Sequence, residues 1–163
     1  VFERIVTAIE TTVLALWAGA MAGFAFIFAP IAIKLVLDLT VFAVLVARTI
    51  GGVTSFGRAC GVIAVVAALV RATRPEARPL AAARVALIAV GLVASAYETT
   101  TIIPRMNATA AAIGGPVDSV PKDDPRRAAY DAQHKDSSRV YGLAFLCVLA
   151  AVALVPFGRR RAT

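Results

Sequence analysis

Three ionisable side chains interrupt otherwise apolar stretches of this chain: Glu10, Arg58 and Glu98. A charge placed in hydrocarbon is costly, so each is a candidate for an ion pair or for a functional contact. Counted along helices from one end, Arg58 and Glu98 fall at similar depth, and an Arg58–Glu98 pair is expected to neutralise both. Glu10 stands close to the end of its stretch and is expected to snorkel or to pair with Arg84. A second group lies further along. Glu98, Thr101 and Arg105 follow helical spacing, as do Tyr130, His134, Ser137 and Tyr141, so each set shares one helix face. If the two faces meet, they form a polar cluster of a carboxylate, a guanidinium, the only histidine and several hydroxyls. In the plainer reading His134 is simply solvated on an interfacial turn.

For catalysis this inventory is thin. One histidine cannot ligate a haem from both sides, and no HExxH, GxSxG, Walker or dinucleotide fingerprint is present. His134 and Ser137 on one helix lack the third orienting group and the oxyanion site that a triad needs. Cys60 and Cys147 have neither CxxC spacing nor a nearby histidine, and read as packing residues. No metal or cofactor is expected, and no nucleic-acid partner.

The elements that would position these side chains follow from composition. The chain is 60% hydrophobic and only 17% charged, with a mean hydropathy of +0.80, against about a quarter charged in soluble domains. Its apolar residues run on without amphipathic spacing, as in helices surrounded by lipid. Four runs approach the roughly 20 residues that cross a bilayer. They cover about 6–28, 41–70 (beginning at Val41 or Gly51), 80–103 and 139–157. The fold class is therefore all-α: a polytopic four-transmembrane-helix bundle forming one membrane domain over 1–163. No leader and no internal repeat is legible.

Pro30 is expected to end or kink the first helix, with Ile31 to Asp38 as an interfacial connection, and Gly51 with Gly52 to bend or break the second. The stretch 114–126, rich in Gly, Pro and Asp, reads as the outer loop. Asp124 then caps a helix with Pro125 in its first turn, starting outside the bilayer and entering near Arg139. Phe24, Phe26 and Phe28 alternate, but the length of the surrounding run makes them helical rather than a strand.

The net charge of +7 is read by side. Arg4, Arg71, Arg74, Arg78 and the tail Arg159, Arg160 and Arg161 flank one end, against Glu3 and Glu76. At the other end lysines and arginines are nearly balanced by aspartates, Asp38 among them. Both termini are therefore expected in the cytoplasm, and the chain in a bacterial inner membrane. Gly19 with Gly23 and Gly57 with Gly61 form small-xxx-small faces for close helix packing, within the bundle or in a homo-oligomer.

The segments LWAGAMAGFAFIFAP, IIPRMNA and DPRRAAYDAQHKDSSRVYGLAFL resemble the transmembrane protein 205-like family, over most of the chain. These are small four-helix membrane proteins, largely of unknown function, whose mammalian namesake is associated with drug resistance. The most specific element is a His, a Ser and an Asn at helical spacing entering the last span. His134 and Ser137 match it, while Tyr141 replaces the usual Asn and removes the amide's paired donor and acceptor. A shorter likeness, Pro104 followed by Asn107, is shared with anthrone-oxygenase-like membrane proteins. It adds Asn107 to the candidate cluster and implies a cofactor-independent oxygenase as an alternative.

The leading expectation is a non-catalytic integral membrane protein: a small-solute or stress-resistance transport component, or a helper subunit. Its partners would be the lipid bilayer and a homo-oligomer or larger membrane complex. The competing class is a membrane enzyme with His134 as acid or base and with Glu98 and Arg105 orienting a substrate. A purely structural subunit is the third.

Overall fold

The computed structural model describes residues 1–36, 39–75 and 78–158. Asp38, Glu76, Arg159, Arg160 and Arg161, used above in the charge count, lie outside the described residues. Four helices are long and apolar enough to cross a membrane, and among the described residues there is no strand. They are α1 (Phe2–Leu35), α2 (Leu39–Ala72), α3 (Arg78–Ile113) and α4 (Pro125–Leu154). The chain is thus an all-α four-helix bundle of an integral membrane protein.

Neither interior proline stops its helix. A proline lacks the N–H for its intrahelical bond, and its ring crowds the carbonyl four residues earlier. Both α1 and α3 answer with a wide π-helical turn just before the proline, Gly23–Phe28 ahead of Pro30 and Glu98–Ile102 ahead of Pro104. The helices then continue to Leu35 and Ile113. The expected interfacial connection after Pro30 is, as far as Leu35, the last part of α1. Gly51 and Gly52 lie inside an unbroken α2.

Helix ends follow their local chemistry. Gly114, at φ 74°, terminates α3 in the left-handed conformation that a residue with a Cβ adopts at a cost. Asp124 accepts the Arg126 amide at 2.8 Å and starts α4 with Pro125 in its first turn. Ser119 and Asp124 close local turns on the carbonyls of Pro116 and Pro121, which shapes the loop between α3 and α4.

Each helix packs against its sequence neighbours, and α4 closes the ring against α1. Leu14, Trp17, Ile88 and Val148 are wholly or almost wholly buried along the axis. Outward, Phe26, Ile27, Val62, Val66, Val93 and Leu146 are exposed, the apolar exterior that lipid requires. Since lipid is as apolar as leucine, helix association rests on close packing and interhelical hydrogen bonds. Trp17 supplies the packing: a Cβ added to Gly57 would meet its ring at 2.2 Å, and one on Gly91 at 3.4 Å. Cys60 and Cys147 are both buried free thiols.

Buried positions recur at a constant interval between the two hairpins. Thr7, Glu10, Leu14 and Trp17 of α1 correspond to Ala81, Arg84, Ile88 and Gly91 of α3. At a second constant interval Gly57, Cys60, Gly61, Ala64 and Ala68 of α2 correspond to Ala144, Cys147, Val148, Ala151 and Val155. The buried faces of α1 and α3, and of α2 and α4, thus share the same helical spacing. Matching positions hold complementary residues, Glu10 against Arg84 and Trp17 against Gly91.

Candidate functional site

At the end of the bundle bearing the loop between α3 and α4, the π-helical turn of α3 carries Glu98, 2% exposed. Its carboxylate accepts the Ser137 hydroxyl of α4 at 2.7 Å. One helical turn further along α4, the Tyr141 hydroxyl donates to the Met21 carbonyl of α1 at 2.9 Å. The Tyr141 ring lies 5.7 Å from that of Phe24 in the π-helical turn of α1. Two side chains of α4 thus fasten it to the widened turns of both neighbours.

The Arg58–Glu98 pair does not form. Arg58 is exposed and its Nη2 donates to the Thr99 hydroxyl at 2.6 Å. Depth along the two helices was legible, but direction around them was not. Adjacent residues on a helix point about 100° apart, so Thr99 faces α2 while Glu98 faces α4.

The rest of the proposed cluster is dispersed. His134 and Asn107 are exposed, and Thr101 is half-buried. Arg105 is exposed at the rim of a shallow cleft of about 260 Å³ that it shares with Tyr97, Gln133, Asp136 and Arg139. Ser137 and Glu98 are brought together, with Tyr141 nearby, while His134 is exposed and its backbone carbonyl accepts the Ser138 hydroxyl at 3.0 Å. Of the four glycines singled out, Gly57 and Gly61 are packing sites inside the bundle, against Trp17 and Leu92. Gly19 and Gly23 have no neighbouring atom within 4 Å of an added Cβ.

The second polar centre lies toward the end where both termini stand. Glu10 accepts from Arg84 Nε at 2.6 Å and from Arg71 Nη1 at 2.7 Å. The three side chains are 0%, 1% and 5% exposed. Arg71 Nη2 also reaches the Val155 carbonyl at 3.5 Å, so all four helices meet here. The Glu10–Arg84 contact is one of the two expected for Glu10. Arg71 flanks the second span in the sequence, yet it continues the helical spacing of Ala64 and Ala68 and so falls on the buried face. That spacing was the available signal.

The cluster holds two guanidinium groups for one carboxylate. Both Glu10 oxygens are engaged, while Arg84 Nη1 and Nη2 are buried with no hydrogen-bond partner among the described residues. Among the described residues no three His, Cys, Asp or Glu side chains gather in a way that could hold a metal ion.

Residues 12–114 match the model of a family described as a domain of unknown function (DUF4149). The matched region runs from α1 through α3 and takes in both π-helical turns, Arg71, Arg84 and Glu98; Glu10 and α4 lie outside it. No curated protein and no solved structure matches the chain.

Proposed function

The chain belongs to this family of unknown function, and from a premise that supplies no activity we propose that it is a non-catalytic membrane component. It acts as a helper subunit, or as a small-solute or stress-resistance transport component, of a larger assembly in a bacterial inner membrane. The observation that carries this reading is the filled interior. Leu14, Trp17, Ile88 and Val148 close the axis, and the polar side chains Glu10, Arg71, Glu98, Ser137 and Tyr141 bond one helix to another. A solute path would therefore run between this chain and a partner rather than through the four helices. The open surface at Gly19 and Gly23 suits close approach of another helix.

The resemblance to the transmembrane protein 205-like family accords with this reading. The oxygenase alternative needs His134 beside Glu98; one is exposed and the other buried against Ser137.

Extraction from native membranes in mild detergent tests the proposal. The expected species is larger than one chain in its micelle, and Gly19→Leu reduces it to a monomer with helix content unchanged. His134→Ala keeps the size and any resistance phenotype. A monodisperse monomer that carries solute when reconstituted alone would overturn the helper role. Loss of the phenotype in a folded His134→Ala chain would favour the enzyme.

A further inference from the structure

We propose that the buried Glu10–Arg71–Arg84 cluster is a binding site for a small oxyanion group, held on the terminal fork of Arg84. The argument begins with the hydrogen bonds. Arg84 meets Glu10 through Nε alone, at 2.6 Å, and its Nη1 and Nη2 have no partner among the described residues although both are shut off from solvent. Glu10 cannot serve them, because its other oxygen accepts from Arg71. Two parallel N–H donors on a planar guanidinium match the paired oxygens of a carboxylate, phosphate or sulfate.

Charge leads to the same ligand. One carboxylate between two guanidinium groups leaves the cluster with a positive charge inside the bundle, where uncompensated charge is costly. A bound water would satisfy donors but leave that charge. A singly charged oxyanion meets both needs.

The nearer end of the bundle is the one where the termini lie. One turn nearer that end, the buried positions are the small residues Thr7 and Ala81. Beyond them Arg4, Arg74 and Arg78 are exposed against Glu3, which pairs with Arg74. A basic rim raises the local concentration of anions. The site is independent of the helper reading, since binding here needs no docked partner.

The shared chemistry, an oxyanion group with two free oxygens, could come from a free anion or from a lipid headgroup. The full chain in neutral detergent is titrated with inorganic phosphate at constant ionic strength, with chloride as the balancing anion. The expected result is a saturable rise of several degrees in Tm. Arg84→Lys keeps the charge toward Glu10 but loses the fork, and the rise should vanish. Arg105→Lys, at the opposite end, should retain it. A linear rise shared by Arg84→Lys would be general salt exclusion and would overturn the site, as would no rise in the unaltered chain.

Should Arg84→Lys fail to fold, a comparison on the unaltered chain decides. Formate should stabilise with saturation where fluoride does not, and equal behaviour of the two overturns the proposal. Discs of zwitterionic lipid and of anionic phosphoglycerol lipid separate the sources. A free anion gives the same phosphate response in both. A headgroup raises Tm by itself in the anionic discs and removes the phosphate response.

Discussion

Among the described residues Glu10 is the only counter-charge to two buried arginines, so the bundle is expected to be sensitive to its loss. Glu10→Gln leaves both guanidinium groups uncompensated, and breaking a buried pair in this way costs about 3–5 kcal/mol. A correspondingly large fall in Tm in detergent is expected. Arg58→Gln loses one exposed hydrogen bond to Thr99 and should shift Tm little. At the start of α4, hydrogen bonds from the Arg126 side chain and then its amide hold the Asp124 carboxyl at about 2, below its ordinary 3.8. The sign follows: the contribution to the helix start is complete above the unfolded value and is lost as pH falls through about 2. The protection of the Arg126 amide relative to its intrinsic exchange rate should therefore fall as pH drops through about 2 in the unaltered chain. Asp124→Asn keeps an acceptor and should abolish that dependence.

Among elements, the glycines divide by what an added methyl group would meet. At Gly57 a Cβ would stand 2.2 Å from the Trp17 ring nitrogen, so α1 and α2 would have to separate. Gly57→Ala is expected to destabilise by about 1–3 kcal/mol, the range for overpacking. Gly19→Ala meets nothing and should leave the Tm of the isolated chain unchanged; a comparable loss at both positions would contradict the packing described here. The widened turns before Pro30 and Pro104 belong to the same scale. Each proline is evident in the sequence, but the response to it is a choice between ending, kinking and widening a helix. Packing of the turns against α4 accompanies widening, through the Phe24–Tyr141 contact and the Glu98–Ser137 hydrogen bond.

For the whole molecule, an even number of helices places both termini at one end, and from the basic flanks we propose that this end faces the cytoplasm. A cysteine at Lys122, exposed in the loop between α3 and α4, should react with an impermeant maleimide in intact cells. One at Thr73 should react only after permeabilisation, and the buried Cys60 and Cys147 should stay silent in both. The reverse pattern would invert the orientation. The sequence by itself determined the four helices and the capped start of α4, because run length and capping chemistry are local properties, while for Glu10 it left snorkelling and a pair with Arg84 open. Only the tertiary structure decided that Thr99 rather than Glu98 receives Arg58, that Arg71 turns inward, and that His134 stays outside. Those outcomes depend on the direction each side chain takes around its helix and on which residues are complementary across the axis. Periodicity constrains the first loosely, and residue identity leaves the second open.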